Sequence, residues 1–440
     1  MTSLEIGLWS FPFLLLLIFI RIPIGLAMLI VGVLGNYFVR GSFTPILAQM
    51  KDLSFSTFSA YSLSIIPLFL LMGQFAALGG MSQSLFKAAA TWLGHRRGGV
   101  AMAAVGACAG FGAICGSSLA TAATMGQVAL PELKRYGYSG ALSTGALAAG
   151  GTLGILIPPS VILVIYAILT EQNIAKLFVA AFVPGILAAI GYMIAISIYV
   201  RLKPDSAGSR ARAPYRERFA ALMGVWPVLI VFFLVVGGIY FGWFTPTEAA
   251  GIGAVGTGVI ALLNGGLTRK TFIEAILVTA SATAMIFLIV FGANVYNAFL
   301  ALSQLPQEAA AFVTAQGFNP WLVLAIILLL YMVFGCVMDS LSMILLTIPI
   351  FFPIVSVLDF GLPPGEFGLW FGILVLIVVE VGLITPPVGM NLFIINSMAK
   401  DTSMLDTYKG VLPFVISDVI RVIILTAFPV ISLFVVRWLY

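Results

Sequence analysis

Two segments of the chain share one unusual pattern. Residues 154–159 read Gly154-Ile155-Leu156-Ile157-Pro158-Pro159, and residues 382–387 read Gly382-Leu383-Ile384-Thr385-Pro386-Pro387. Each segment interrupts a long apolar stretch, and because proline removes a backbone donor while glycine permits an irregular path, both predict broken membrane helices. Irregular backbone at membrane depth is tolerated only where it is buried in protein or lines a cavity. Paired breaks in two halves of a chain therefore indicate the binding site of a secondary transporter.

An internal repeat extends beyond these two segments. Three further pairs of short segments match in the same order, at offsets of 223 to 229 residues: 23–27 with 245–250, 111–117 with 334–340, and 182–184 with 411–413. Each match is weak alone, but their common order and nearly constant offset indicate duplication. We predict two repeats, residues 1–200 and 219–440, joined by a polar linker at 201–218.

The composition is that of a membrane protein. Hydrophobic residues make up 61% of the chain and charged residues 8%, whereas soluble domains carry roughly 25% charged residues. Many apolar runs exceed 18 residues, so we predict an all-α polytopic membrane protein. The net charge of +5 does not indicate a nucleic-acid partner, because the basic residues are concentrated between the apolar runs.

Each repeat is predicted to cross the membrane five times and to carry one re-entrant hairpin. The predicted crossings lie near 6–20, 23–39, 57–80, 139–170 and 177–200, and near 225–243, 246–263, 271–302, 366–399 and 408–436. The broken helices are the crossings at about 139–170 and 366–399, and the hairpins lie at about 98–133 and 320–358. Because five is odd, the second repeat should be inverted relative to the first.

The basic residues predict the orientation. Six of them lie in the linker 201–218, and the positive-inside rule places that linker in the cytoplasm. With the predicted crossings, fifteen of the 21 Lys and Arg residues then lie inside and four outside, while Arg21 and Arg421 lie within crossings. Both termini should therefore be on the outer side. The first hairpin should enter from the cytoplasm and the second from outside.

Hydroxyl and carbonyl oxygens are concentrated at the hairpin tips and breaks. The first tip and break offer Gly112, Gly116, Ser117, Ser118 and Thr152, and the second offer Gly335, Asp339, Ser340, Ser342, Gly382 and Thr385. Oxygen ligands of this kind suit a hard cation facing the carbonyl end of a half-helix. Small residues also permit close helix packing, which is the competing explanation. The duplicated pairing of tip and break favours the ion site.

Three carboxylates fall inside apolar stretches, where an ionisable group is a functional candidate. Asp339 lies at a hairpin tip and is the predicted ion ligand; at an offset of 223 it aligns with Gly116. Glu380 lies beside the second break, and two roles are open for it: capping free backbone amides or binding an ion. Asp418 is three residues from Arg421 on one helical face, which predicts a structural ion pair. Sites rich in carbonyls and hydroxyls favour sodium over a proton relay.

The motifs resemble those of a known family. Residues 382–391 (GLITPPVGMN), 154–160 (GILIPPS) and 244–250 (FTPTEAA) look like the large membrane subunit of tripartite ATP-independent periplasmic (TRAP) transporters, along essentially the whole chain. The resemblance implies a carrier of the bacterial or archaeal inner membrane with periplasmic termini. It further implies sodium-driven uptake of a dicarboxylate, another carboxylate or sialic acid by an elevator mechanism. Two partners are implied: a separate four-helix membrane subunit and a periplasmic substrate-binding protein.

The resemblance also assigns site residues. The implied sodium sites consist of two sets: Gly112, Gly116, Ser117, Ser118, Gly151, Thr152 and Pro158; and Gly335, Asp339, Ser340, Ser342, Gly382, Thr385 and Pro386. The implied substrate site lies between the tips, near Ser117, Ser118, Ser340 and Asn391. Sodium would be the coupling ion, and no other cofactor is implied.

Other classes of function remain open on sequence alone. A stand-alone ion-coupled anion carrier of a related inverted-repeat superfamily would share the breaks and hairpins, and so would a passive channel. An enzyme is not expected, since the chain has one histidine and no nucleophile–base–orienter set. A phosphate-binding Gly-x-x-x-x-Gly-Lys motif is absent from the sequence, so ATP hydrolysis by this chain is not expected either.

We expect Asp339→Ala and Ser117→Ala to weaken the sodium dependence of uptake without preventing membrane insertion, because each removes an oxygen ligand at one tip. Uptake in proteoliposomes at varied sodium concentration measures the effect. Wild-type sodium dependence in both variants would show that the ion sites are assigned wrongly.

Overall fold

The computed structural model describes residues 2–440, without the side chain of Pro364, and the chain is helical throughout with no strand among these residues. The helices of the first half are α1 (Ser3–Phe19), α2 (Ile24–Arg40), α3 (Thr44–Phe58), α4 (Ile65–Leu78), α5 (Met81–Leu93), α6 (Gly99–Cys115), α7 (Ser118–Arg135), α8 (Gly140–Leu156), α9 (Val161–Leu169) and α10 (Ile174–Leu202). A 3₁₀ segment, Tyr61–Ser64, leads directly into α4.

The second half follows with α11 (Tyr215–Met223), α12 (Trp226–Phe232), α13 (Gly238–Tyr240), α14 (Pro246–Leu263), α15 (Arg269–Ser303), α16 (Leu305–Ala315), α17 (Pro320–Gly335), α18 (Ser340–Ser356), α19 (Pro364–Gly382), α20 (Met390–Met398), α21 (Met404–Ala427) and α22 (Val430–Leu439). A π-helical stretch, Phe233–Gly237, joins α12 to α13. The order of the helices around the hairpins is the same in both halves. The repeat boundaries and the inversion of the second repeat stay predictions.

The lengths of the helices fit a polytopic membrane protein. Six helical spans are long and apolar enough to cross a membrane. The number rises to eight if each of two bent helix pairs is counted as one span. One bent pair is α8 with α9, which meet at 47° at the first Gly/Pro segment. The predicted crossings 6–20 and 23–39 correspond to α1 and α2, apolar helices of 17 residues that are slightly shorter than a typical membrane span.

Several short helices correspond to no predicted crossing or hairpin. These helices are α3, α5 and α16, which connect successive spans. Each has at most 15 residues and mixes apolar with polar side chains, so no long apolar run marks it. α5 packs on α6, and α16 packs on α18, so both lie against the hairpins.

Helix packing separates most of the spans into two groups. In the first group α2 packs along α15 and α4 along α14, so that each half of the chain contributes to each pair. In the second group α6, α7 and α21 pack on α8, while α17 packs on α19. The second group therefore contains the hairpins and broken helices together with α21, and the first contains α2, α4, α14 and α15.

The halves are interlocked within the second group. The helix that follows the first break, α9, packs on the hairpin helix α18 of the other half, and the corresponding α20 packs on α7 and α8. Tyr166 on α9 donates a hydrogen bond to the carbonyl of Gly368 on α19 at 2.6 Å. Each broken helix therefore holds the hairpin of the opposite half.

Each hairpin meets its broken helix at a pair of glycines. A Cβ placed on Gly112 of α6 would lie 2.4 Å from the Cα of Gly154 on α8, and a Cβ on Gly382 of α19 would lie 2.5 Å from the Cα of Gly335 on α17. Any larger residue would push the two backbones apart, as in other close helix crossings between small residues. The glycines predicted as site residues thus place each tip directly against its break.

We expect Gly112→Ala to lower the thermal unfolding midpoint of the purified protein, because the added methyl group overlaps backbone and overpacking costs about 1–3 kcal/mol. Gly106→Ala on the same helix is the matched control, since its nearest neighbour would be the terminal carbon of Met193 at 3.4 Å. Equal midpoints for the two variants would contradict the close crossing.

Candidate functional site

The tip of the first hairpin is a two-residue turn. Gly116 ends α6 with φ of +64°, a conformation that favours glycine, and Ser117 then caps α7 by accepting a hydrogen bond from the Ala120 amide at 3.4 Å. A Cβ on Gly116 would lie 3.2 Å from the carbonyl oxygen of Pro159. The tip is therefore in contact with the first break.

The tip of the second hairpin is held in a similar way. Asp339 caps α18: its carboxylate accepts hydrogen bonds from the Ser342 amide at 3.1 Å and from the Ser342 hydroxyl at 2.5 Å. The amide of Gly389, in the second break, donates to the carbonyl of Cys336 at 3.1 Å. This tip is therefore tied by backbone to the second break.

The two caps correct the predicted alignment of the tips. Asp339 and Ser117 occupy the same place, the N-cap of the second hairpin helix, so Asp339 corresponds to Ser117 rather than to Gly116. The offset at this point is 222 residues, and the two tips differ in length: residues 116–117 separate the first pair of hairpin helices and residues 336–339 the second. Capping accounts for the similar geometry of both side chains at their helix N-termini.

Glu380 joins the two tips. Its carboxylate accepts a hydrogen bond from the hydroxyl of Ser118, the first residue of α7, and another from the hydroxyl of Ser340, the first residue of α18, at 2.7 Å. Glu380 lies on α19 two residues before its end. From the sequence, we predict only a capping or ion-binding role for Glu380 beside the second break. Its contact with the first hairpin is not predicted, because no local pattern indicates it.

The junction of Glu380 with the tips is buried. Glu380 and Ser118 are each 1% exposed and Ser340 is 4% exposed. No Lys or Arg in residues 2–440 forms an ion pair with Glu380. Because an unpaired buried charge costs several kcal/mol, this carboxylate requires a bound cation or a proton.

Two buried oxygens near the tips have no hydrogen-bond partner in the described part of the chain: the hydroxyl oxygen of Thr121 and the side-chain carbonyl oxygen of Asn391. Gly154 faces the Thr121 hydroxyl, at 2.5 Å from the position of an added Cβ. Sequence reasoning missed Thr121, although it follows Ser117 by one helical turn and so shares its face. Hydroxyl and amide oxygens of this type can ligate a hard cation.

Four further residues of the predicted sodium sites lie in or beside the two breaks: Gly151, Pro158, Thr385 and Pro386. Gly151 contacts the first hairpin, where an added Cβ would lie 3.2 Å from the Ser118 carbonyl. The Thr385 hydroxyl, in the second break, donates at 2.6 Å to the carbonyl of Val381 near the end of α19, while the carbonyl of Pro386 faces the Cys336 thiol at 3.7 Å. Pro158 lies in the first break, against which Gly116 packs.

Asn391 lies beside α8. Its side-chain amide donates to the carbonyl of Ala148 at 3.3 Å, and it is fully buried. It therefore contacts the first broken helix, whereas Ser118 and Ser340 meet at Glu380. The four predicted substrate residues are arranged around the tips without one shared contact.

Comparison with known proteins identifies the family. A family model described as the DctM component of the tripartite ATP-independent periplasmic transporters matches residues 11–431. The chain belongs to this family. It is thus a multi-pass membrane protein, and the resemblance found in its motifs is confirmed.

Two relatives in the family are similar over most of their length. The chain is 38% identical over 387 residues to the C4-dicarboxylate TRAP transporter large permease protein DctM of Pseudomonas aeruginosa, covering 88% of each chain. It is 29% identical over 414 residues to the sialic acid TRAP transporter large permease protein SiaM of Vibrio cholerae serotype O1, covering 94% of each.

The fold is also similar to that of a solved transporter. The YdaH transporter of Alcanivorax borkumensis, whose crystal structure is described as having an unusual topology, aligns with a TM-score of 0.59 at 14% identity, covering 86% of this chain and 88% of that one. At this identity the likeness concerns the fold alone.

In this DctM-family chain, Thr152 is directed away from the hairpin tip. Its hydroxyl lies 2.9 Å from that of Tyr192 on α10, and the Tyr192 hydroxyl donates to Asp418 at 2.7 Å. Asp418 pairs with Arg421 at 2.8 Å, which confirms the predicted structural ion pair. Gly151, its neighbour in the chain, faces the tip instead, because successive helical residues point about 100° apart.

We expect Arg421→Gln to lower the unfolding midpoint strongly, because removing one partner of a buried ion pair costs about 3–5 kcal/mol. The double variant Asp418→Asn/Arg421→Gln should recover part of that loss, since no uncompensated charge remains. Thermal unfolding of the purified variants measures both effects. A double variant less stable than Arg421→Gln would contradict a role limited to charge compensation.

Proposed function

We propose that this large permease takes up an organic acid across the cytoplasmic membrane of a bacterium or archaeon, driven by a sodium gradient. The observation that carries the proposal is the buried Glu380 carboxylate, shared by the hydroxyls of Ser118 and Ser340 at the two hairpin tips. Such a group places one negative charge where both tips and both breaks converge.

Sodium is the counter-ion favoured by the surrounding ligands. Carbonyl, hydroxyl and carboxylate oxygens suit a hard cation, and Thr121 and Asn391 each leave a buried oxygen free. The two sets of glycine, serine and threonine residues predicted from the sequence would supply further oxygens from the tips and breaks. A proton on Glu380 would satisfy its charge but would leave those free acceptors unused.

Coupling follows from electrostatics. An anionic substrate near Ser118 and Ser340 would be attracted by the N-termini of α7 and α18 but repelled by an ionised Glu380. A bound sodium ion cancels that repulsion, so sodium and substrate should bind together rather than in competition. The carboxylate thus links the occupancy of the ion site to that of the substrate site.

The substrate is proposed to be a C4-dicarboxylate or a related organic acid. The relative at 38% identity is named for C4-dicarboxylate and the one at 29% for sialic acid. Both are carboxylates, which fits a site between two helix N-termini. Ser117 and Asn391 are the further side chains proposed to contact the substrate.

An elevator mechanism is proposed from the packing. The hairpins and broken helices form one interlocked group, and α2, α4, α14 and α15 form another. A movement that keeps Glu380 on both tips must carry the hairpins and broken helices as a unit along α2, α4, α14 and α15. The short helices α5 and α16 connect the two groups and would bend as the hairpins and broken helices move.

We propose the partners and orientation expected for the family. A four-helix membrane subunit and a periplasmic substrate-binding protein would complete the transporter. The strong excess of basic residues in the predicted inner loops supports a cytoplasmic linker and periplasmic termini.

Reconstitution tests the proposal as a whole. Proteoliposomes would contain this chain and its small subunit, and the binding protein loaded with radiolabelled C4-dicarboxylate would be added outside. We expect accumulation only when binding protein and an inward sodium gradient are both present. Accumulation without the binding protein would favour a stand-alone carrier, and equilibration without any gradient would indicate a passive pore.

We expect Glu380→Gln to raise the sodium concentration for half-maximal uptake about tenfold or more, because glutamine keeps a hydrogen-bond acceptor but removes the charge that attracts the ion. Glu308→Gln, an exposed position on α16, is the matched control and should leave the sodium dependence unchanged. Wild-type sodium dependence in Glu380→Gln, with an altered pH dependence of uptake, would instead show that Glu380 carries a proton.

A further inference from the structure

A groove lies between α10 and α21, outside the proposed transport site. It has a volume of about 760 Å³ and is lined mainly by aliphatic side chains. Five of them, Ile190, Ile194, Ile198, Leu412 and Ile416, are between 47% and 55% exposed. No other described part of the chain covers them. An apolar concavity between two membrane helices faces lipid unless a partner fills it.

One end of the groove is basic. Lys203 directly follows α10 and Lys409 lies near the start of α21, and both border the groove. Neither lysine forms an ion pair with a described carboxylate. Arg421 also borders the groove, further along α21, but its charge is paired with Asp418. Only the end at the two lysines carries uncompensated positive charge.

Three further cations surround the same end of α10. Arg96, Arg97 and Arg201 line a separate cavity of about 480 Å³, and none of them pairs with a carboxylate in residues 2–440. Together with the two lysines they concentrate positive charge at one membrane face. Like charges at this density repel one another unless anions are nearby.

We propose that the α10–α21 groove binds an anionic phospholipid, with an acyl chain along the aliphatic side chains and the phosphate at Lys203 and Lys409. From Leu187 to Leu202 the groove follows α10 for roughly 20 Å, enough for one acyl chain across a leaflet of about 15 Å. Basic pockets at the cytoplasmic ends of membrane helices are typical sites for anionic head groups.

The charge at one end of the groove favours a lipid over a partner helix. A helix would gain nothing from a cluster of positive charge at one end unless it carried acidic residues there, whereas the phosphate of an anionic lipid complements that charge. The site is independent of the ion and substrate proposed above, because none of its residues lies at the hairpin tips.

Native mass spectrometry of the purified complex tests the lipid site. Phosphatidylglycerol and phosphatidylcholine with the same acyl chains would be titrated in detergent. We expect phosphatidylglycerol to bind more tightly, and Lys203→Gln/Lys409→Gln to weaken its binding roughly 10- to 30-fold. Lys51→Gln/Lys270→Gln removes the same charge elsewhere and should leave binding unchanged. Equal binding of the two lipids, or unchanged binding in Lys203→Gln/Lys409→Gln, would overturn the proposal.

A second variant tests the groove without changing charge. Ile416→Trp fills the concavity and should remove tight phosphatidylglycerol binding, whereas Leu277→Trp on the exposed face of α15 should not. Thermal unfolding would show that both variants are folded. Phosphatidylglycerol binding that survives unchanged in Ile416→Trp would overturn the proposal. Binding to the isolated chain that is lost in the complex with the small subunit would show that this subunit fills the groove, and would overturn it as well.

Discussion

The burial of the Glu380 carboxyl group without an ion-pair partner is the constraint on which the arrangement of the site depends. The group is 1% exposed and so is shielded from bulk water, and the hydroxyls of Ser118 and Ser340 satisfy its hydrogen bonds without neutralising an ionised carboxylate. The group therefore has to bind a cation or a proton. Since its two donors begin the second helices of the two hairpins, the state of that charge is linked to the positions of both tips.

Backbone packing maintains this junction. Gly112 against Gly154 and Gly335 against Gly382 let each hairpin touch its own broken helix, while α9 and α20 each pack on the hairpin of the other half. Separating the tips would break contacts in both halves at once. The proposed transport cycle therefore shifts this group as a unit against α2, α4, α14 and α15 rather than opening it internally.

The sequence predicts the features that depend on local pattern. Apolar runs and Gly/Pro breaks give the positions of the spans, and α6–α9 lie within a few residues of the predicted hairpin and broken helix. Contacts between distant segments do not follow from such patterns. Ser118 and Glu380 are 262 residues apart. Thr152 contacts Tyr192 whereas its neighbour Gly151 faces the hairpin, because successive residues of a helix point about 100° apart. The short helices α3, α5 and α16 are not predicted, because each mixes polar with apolar residues and so forms no long apolar run.

Direct measurement of sodium binding to the purified complex of this chain and its small subunit tests the central claim. Binding of radioactive sodium would be measured at constant ionic strength, with potassium as the replacing ion, over a range of pH. We predict saturable sodium binding that potassium does not displace and that strengthens when a C4-dicarboxylate is added. Absence of saturable sodium binding, together with proton uptake on addition of the acid, would contradict sodium coupling through Glu380.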